Sequence, residues 1–261
     1  MRRFGPTATT FLFFALPLFA QTPAPAPTVP SSPERLDQVL NAWEQRMSSL
    51  ENFSAKCSRT TVYDLTKKST TFVGEAAFMK PNVARIDLTV QEEADKKDAD
   101  KTNFDRMYCT GQYIFEYSPR YKKIIRHEIP KNDPTADNLI LAFMRGMKAA
   151  DAKKRFNMTL TKETEWYAYV YITPKSEADK QAFTAAQLTI FIKNSIPENE
   201  PNLNSIPCRL WYKMPNRNEV TYMFSDMVPN GKLDKDAFVP RFITGYSWEK
   251  ANGDPIAPLK K

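Results

Sequence analysis

The chain has 261 residues and a formal charge of +7, with no dense basic tract, which excludes nucleic acid as the partner. Its 7 glycines leave little room for a phosphate-cradling loop, and no P-loop or dinucleotide fingerprint is present. A lone histidine, His127, rules out a zinc site built on histidine clusters.

In chain order, Arg2 and Arg3 precede the apolar run FLFFALPLFA, which is too short to span a bilayer. Residues 1–20 therefore read as an export signal peptide. No cysteine follows it to carry an acyl anchor, so the mature chain is expected to be soluble and exported. Residues 21–33, QTPAPAPTVPSSP, form an uncharged Pro-rich linker. Residues 34–261 are one domain in size.

That domain opens with an amphipathic helix over residues 34–50, in which Leu36, Val39, Leu40, Trp43, Met47 and Leu50 recur at helical spacing. From Phe53 the period changes to two, and strands are predicted at 70–79, 83–90, 104–109, 112–117 and 121–129. The two-signed run QEEADKKDADKTN (91–103) reads as a solvated loop. A second helix is predicted from Asp133-Pro134 to about Arg155, with Leu139, Ile140, Phe143, Met144 and Met147 as its apolar face. That face suits either a core plug or a movable lid. Strands follow at 156–161, 166–173, 188–193, 207–213 and 218–226. The fold class is α+β: a curled antiparallel half-barrel sheet of about eleven strands, with helices covering its concave side. In WYAYVYI (166–172) both strand faces are apolar, so alternation alone does not say which turns inward.

Catalytic signals are scarce. His127 lies in YKKIIRHEIP with no G-x-S-x-G motif to accompany it. In NGKLDKDAFVP (230–240), a calcium loop counted from Asp226 would place Val228 third and Ala237 twelfth, where oxygen ligands belong. The stretch reads instead as an Asn230-Gly231 turn, with Leu233 and Phe238 tucked onto the sheet and Pro240 ending the segment. Cys57, Cys109 and Cys208 allow at most one disulfide and a free thiol, with the pairing open, or three small buried apolar side chains.

Several strings, in order, resemble the LolA-like family of periplasmic lipoprotein carriers. They are LENFSAKC (50–57), GEAAFMKPNVARIDL (74–88), GQYIFEYSP (111–119), NDPTADNLI (132–140), VYITPK (170–175) and FSDMVPNGKLDKDAFVPRFITGYSW (224–248). A secreted planctomycete branch of the family is closest in pattern. The resemblance implies a non-catalytic carrier without a cofactor, a periplasmic monomer that takes the acyl chains of lipoproteins or lipids into an apolar cavity. It further implies an inner-membrane transporter and an outer-membrane receptor as partners. Phe53, Phe72, Phe78, Phe115, Val170, Leu188, Ile190 and Trp211 are expected to line the cavity, with the Leu139–Met147 face as lid. Lys80 stands where the carriers have an arginine that gates the lid, and lysine lacks the guanidinium fork. A non-enzymatic envelope domain that keeps the fold and recognises a protein is the second reading.

Overall fold

A computed structural model of the protein describes residues 32–97, 100–129, 146–192 and 201–257. Helix α1 (Pro33–Ser49) begins where the chemistry favours it. The Ser32 hydroxyl accepts from the Arg35 backbone N–H at 3.2 Å, Pro33 sits in the first turn, and Glu34 complements the positive helix end. Leu36, Val39, Leu40, Trp43 and Met47 are buried as one stripe. Full burial of a side chain the size of Leu40 stabilises by roughly 2 kcal/mol.

The strands are β1 (Asn52–Val62), β2 (Ser69–Met79), β3 (Val83–Val90), β4 (Phe104–Thr110), β5 (Tyr113–Ser118) and β6 (Lys123–Glu128) in the first half. The second half holds β7 (Phe156–Glu163), β8 (Tyr167–Pro174), β9 (Ala185–Phe191), β10 (Pro207–Lys213), β11 (Glu219–Pro229) and β12 (Ser247–Lys250). They form one open, curled 12-stranded sheet in the order β12-β6-β5-β4-β3-β2-β1-β11-β10-β9-β8-β7. Every pairing is antiparallel except β12 with β6, which is parallel. The sheet is thus the expected half-barrel with one strand added. β12 is 4 residues long and buries only Trp248, which is too little to carry a period-two signal.

Within the span of the second predicted helix, residues 146–148, Met147 among them, are irregular, and α2 (Ala149–Arg155) follows them. Gly146 explains the break: it takes φ +81°, and a Cβ there would run into the Met47 side chain of α1. Leu139, Ile140, Phe143 and Met144 lie outside the described residues. A short helix not anticipated from the periodicity, α3 (Glu177–Ala182), joins β8 to β9 and is capped by the Ser176 hydroxyl.

The sheet has two different faces. The inner face joins the α1 stripe to Phe53, Cys57, Phe72, Phe78, Val170, Leu188, Ile190 and Phe224 in one continuous apolar cluster. On the outer face, Phe104, Tyr108, Phe115, Tyr117, Ile124 and Trp248 form a second cluster at the β3–β6 end. The chain after β11 passes over this end: Phe238 is buried in a 3-10 turn, and the Tyr117 hydroxyl donates to the Arg241 carbonyl at 2.6 Å. Asn230 does more than turn the chain. At φ 55° its side-chain oxygen accepts from the Glu51 backbone N–H at 2.8 Å, tying the β11 end to the α1–β1 junction.

Candidate ligand-binding face

The inner face is built by strand alternation. In β1, Phe53, Ala55 and Cys57 turn inward while Ser54, Lys56 and Ser58 turn outward, and β2 and β8 repeat the pattern with Phe72, Ala76, Phe78 and with Ala168, Val170, Ile172. Of the residues expected to line a cavity, Phe53, Phe72, Phe78, Val170, Leu188 and Ile190 come together here, all buried. Met147 packs against the same cluster, partly exposed. Phe115 and Trp211 are on the other face. Phe115 joins the outer cluster, edge-on to Trp248 at 5.7 Å, and the Trp211 indole N–H donates to Glu219 at 3.2 Å.

The cover over this face is held by polar contacts at its margins. The Arg35 guanidinium pairs with Glu163 of β7 at 2.7 Å, and Glu44 accepts from the Ala149 backbone N–H at 2.8 Å. At the far end, the Lys80 ammonium donates to the Ser48 carbonyl at 2.8 Å and to Glu51 at 3.0 Å. Lys80 therefore holds the C-terminal end of α1, where a cation is favoured by the helix dipole. Between these ends α1 meets the sheet through apolar side chains. Met107, Met147, Met158 and Met214 border the cluster partly exposed, and unbranched thioethers repack easily.

The inner face also carries charges that hydrophobic periodicity does not announce. Arg59 of β1 pairs with Asp105 of β4, and its guanidinium lies 4.4 Å from the centroid of the Phe72 ring. Burial opposes the Arg59 charge, but Asp105 together with Tyr222 and Tyr212 outweighs it and raises the pKa. Burial likewise pushes the Tyr222 hydroxyl well above its ordinary value. The signal was legible: Arg59 falls in the same phase as Phe53, Ala55 and Cys57, and a charge in the apolar phase of a strand needs a partner. On the outer face a second hidden pair, Arg106 with Asp87 at 2.7 Å, lies near Arg241 of the C-terminal segment.

Cys57, Cys109 and Cys208 are all free thiols. β11 separates Cys57 from Cys208, which sets their strands about 10 Å apart, beyond the roughly 7 Å limit between disulfide-bonded Cα atoms. Burial pushes the Cys57 and Cys208 thiols up to about 12, so they behave as small apolar residues. His127 of β6 stands beside Glu116 of the neighbouring strand β5 at 3.3 Å. Among the described residues no group of three or more His, Cys, Asp or Glu could hold a metal ion, and no helix is long and apolar enough to cross a membrane.

No family model matches the chain, and no curated protein matches it. Among solved structures, an uncharacterised conserved protein from Thermus thermophilus aligns over 82% of this chain and 98% of its own, at 8% identity and a TM-score of 0.42. A LolA superfamily protein from Nitrosomonas europaea aligns over 78% of this chain and 97% of its own, at 11% identity and a TM-score of 0.38. The lipoprotein LppX of Mycobacterium tuberculosis aligns over 78% and 99%, at 11% identity and a TM-score of 0.37.

Proposed function

We propose that this chain is an exported, non-catalytic carrier or binder that takes the acyl chains of lipid-modified proteins or of lipids against the inner face of its sheet. The observation that carries this reading is a continuous apolar face reaching from β3 round to β7, under a helix held by polar contacts at its margins. Burying an acyl chain yields about 0.8 kcal/mol per methylene, roughly 10 kcal/mol for a long chain. A bilayer offers nearly the same, so a carrier needs a cover that opens at low cost rather than a tighter grip. Exposed ion pairs such as Lys80–Glu51 cost little to break, and methionines at the border adapt to a guest. In this proposal the mature chain works as a periplasmic monomer between an inner-membrane transporter and an outer-membrane receptor, the partners that the resemblance implies.

One observation favours the second reading, an envelope domain that recognises a protein. Trp43 and Leu40 are fully buried and fill the space between α1 and the sheet. Titration of the mature chain with a fluorescent acyl probe, offered both as the free acid and as its ester, separates the two. A carrier takes it up saturably, and Met147→Asp weakens uptake at least about tenfold by placing a charge at the border of the face. A wild-type chain that takes up no probe contradicts the carrier reading and leaves the protein-recognition reading standing.

A further inference from the structure

The charged groups on the inner face point to what part of a lipid this chain recognises. Arg59 and Asp105 lie in apolar strand phases, with Cys57 preceding Arg59 on the same side and Met107 and Cys109 following Asp105. The Arg59 guanidinium donates through Nη1 to Asp105, meets Tyr222, and lies over the Phe72 ring. Its Nε–H is buried and finds no hydrogen-bond acceptor in the protein. A buried donor on a charged group that lacks a partner is costly, and such a group calls for an acceptor from elsewhere.

Asp105 already matches the guanidinium charge. A ligand anion would be drawn to Arg59 but repelled by Asp105. A neutral acceptor such as a carbonyl oxygen meets the Nε–H without that repulsion and needs no counter-charge.

Resting on the acyl-chain reading above, we propose that Arg59 is the polar anchor of the inner face and takes the carbonyl oxygen of an ester-linked acyl chain. The ligand class is then esterified lipid, or a lipid-modified protein bearing acyl esters, in preference to free fatty acid. The hydrocarbon runs from Arg59 over Phe72 and Phe224, the residues beside and below it on β2 and β11. Asp105 acts as a positioning residue, holding the guanidinium and setting its net charge.

The test uses one labelled acyl chain in two forms, the free acid and its glycerol ester, titrated into the wild-type mature chain and two variants. The wild type is expected to bind the ester about tenfold or more tightly than the acid. An apolar face alone also disfavours a carboxylate, so the variants decide. Asp105→Asn leaves the guanidinium charge unmatched and is expected to reverse the preference toward the acid. Arg59→Met keeps an unbranched apolar stem, removes the guanidinium, and is expected to weaken ester binding about tenfold. If Arg59→Met does not fold, Asp105→Asn decides alone. An ester preference that survives Asp105→Asn unchanged, or equal binding of both probes by the wild type, overturns the anchor while the acyl-chain reading stands. A wild type that binds neither probe overturns both.

Discussion

Arg59 on β1 and Asp105 on β4 form an ion pair across the inner face although β2 and β3 lie between their strands. In a flat sheet those strands are about 14 Å apart, too far for the pair to meet easily. The contact therefore records how tightly the sheet curls at this end. Gly74 on β2 lies between them, paired with Cys57 on one side and Leu88 on the other, and having no side chain lets the β3 backbone come close.

Gly74→Ala is accordingly expected to destabilise. A Cβ there would run into the backbone carbonyl of Asp87, which cannot move without shifting β3. The expected loss is about 2 kcal/mol or more, read as a lower urea midpoint with an unchanged denaturant slope. A midpoint equal to the wild type would mean that the sheet is less tightly curled here.

Gly146→Ala is the matching test for the cover. It combines a left-handed backbone with a clash against Met47, so a loss of about 2 kcal/mol is expected, measured by thermal or urea unfolding. Asp105→Asn at the distant Arg59 site should add independently to this loss.

The thiols give a pH signature. For Cys57 and Cys208, burial raises the value from an ordinary 9.0 to about 12. A thiol raised in this way contributes stability that is complete below the unfolded value and lost as pH rises toward the folded one. The urea midpoint should therefore hold steady up to about pH 8.5 and fall between about 9 and 12, where Tyr108, also raised to about 12 by burial, adds to the decline. Cys57 and Cys208 should resist thiol reagents at pH 8 until denaturant is added, and reductant should leave the wild-type midpoint unchanged.

Asn230→Ala should cost about 1 kcal/mol or more, because it removes the acceptor for the Glu51 N–H and puts alanine, which tolerates the left-handed region less well than asparagine, at φ 55°. Asn230→Gly keeps the backbone freedom and isolates the hydrogen bond. If both variants unfold at the wild-type midpoint, the tie between β11 and the α1–β1 junction contributes nothing.

Much of this architecture was legible because periodicity reports it directly. The stripe of α1 and the alternation of β1 each predict their own element, and the order of elements leads to a large antiparallel sheet. Three features were not legible, each for a physical reason. β12 gains its place by parallel pairing with β6, a distant partner that four residues do not announce. The break before α2 depends on Gly146 meeting Met47, a contact between segments about a hundred residues apart in sequence. Phe115 lies in the apolar phase of β5, which faces outward because Trp248 and the C-terminal segment cover it there, whereas Trp211 shares its phase with Arg209 and Lys213, a cue to the outward side. The Arg59–Asp105 pair was half legible: phase marked each charge as inward, but curl alone makes them partners.

The most direct measurement is mass spectrometry of an organic extract of the purified mature chain. Co-purifying acyl lipid in stoichiometric amount is expected from the wild type, depleted in Met147→Asp. Repeatedly empty extracts from wild-type protein, together with no uptake of an added acyl probe, would contradict the carrier reading.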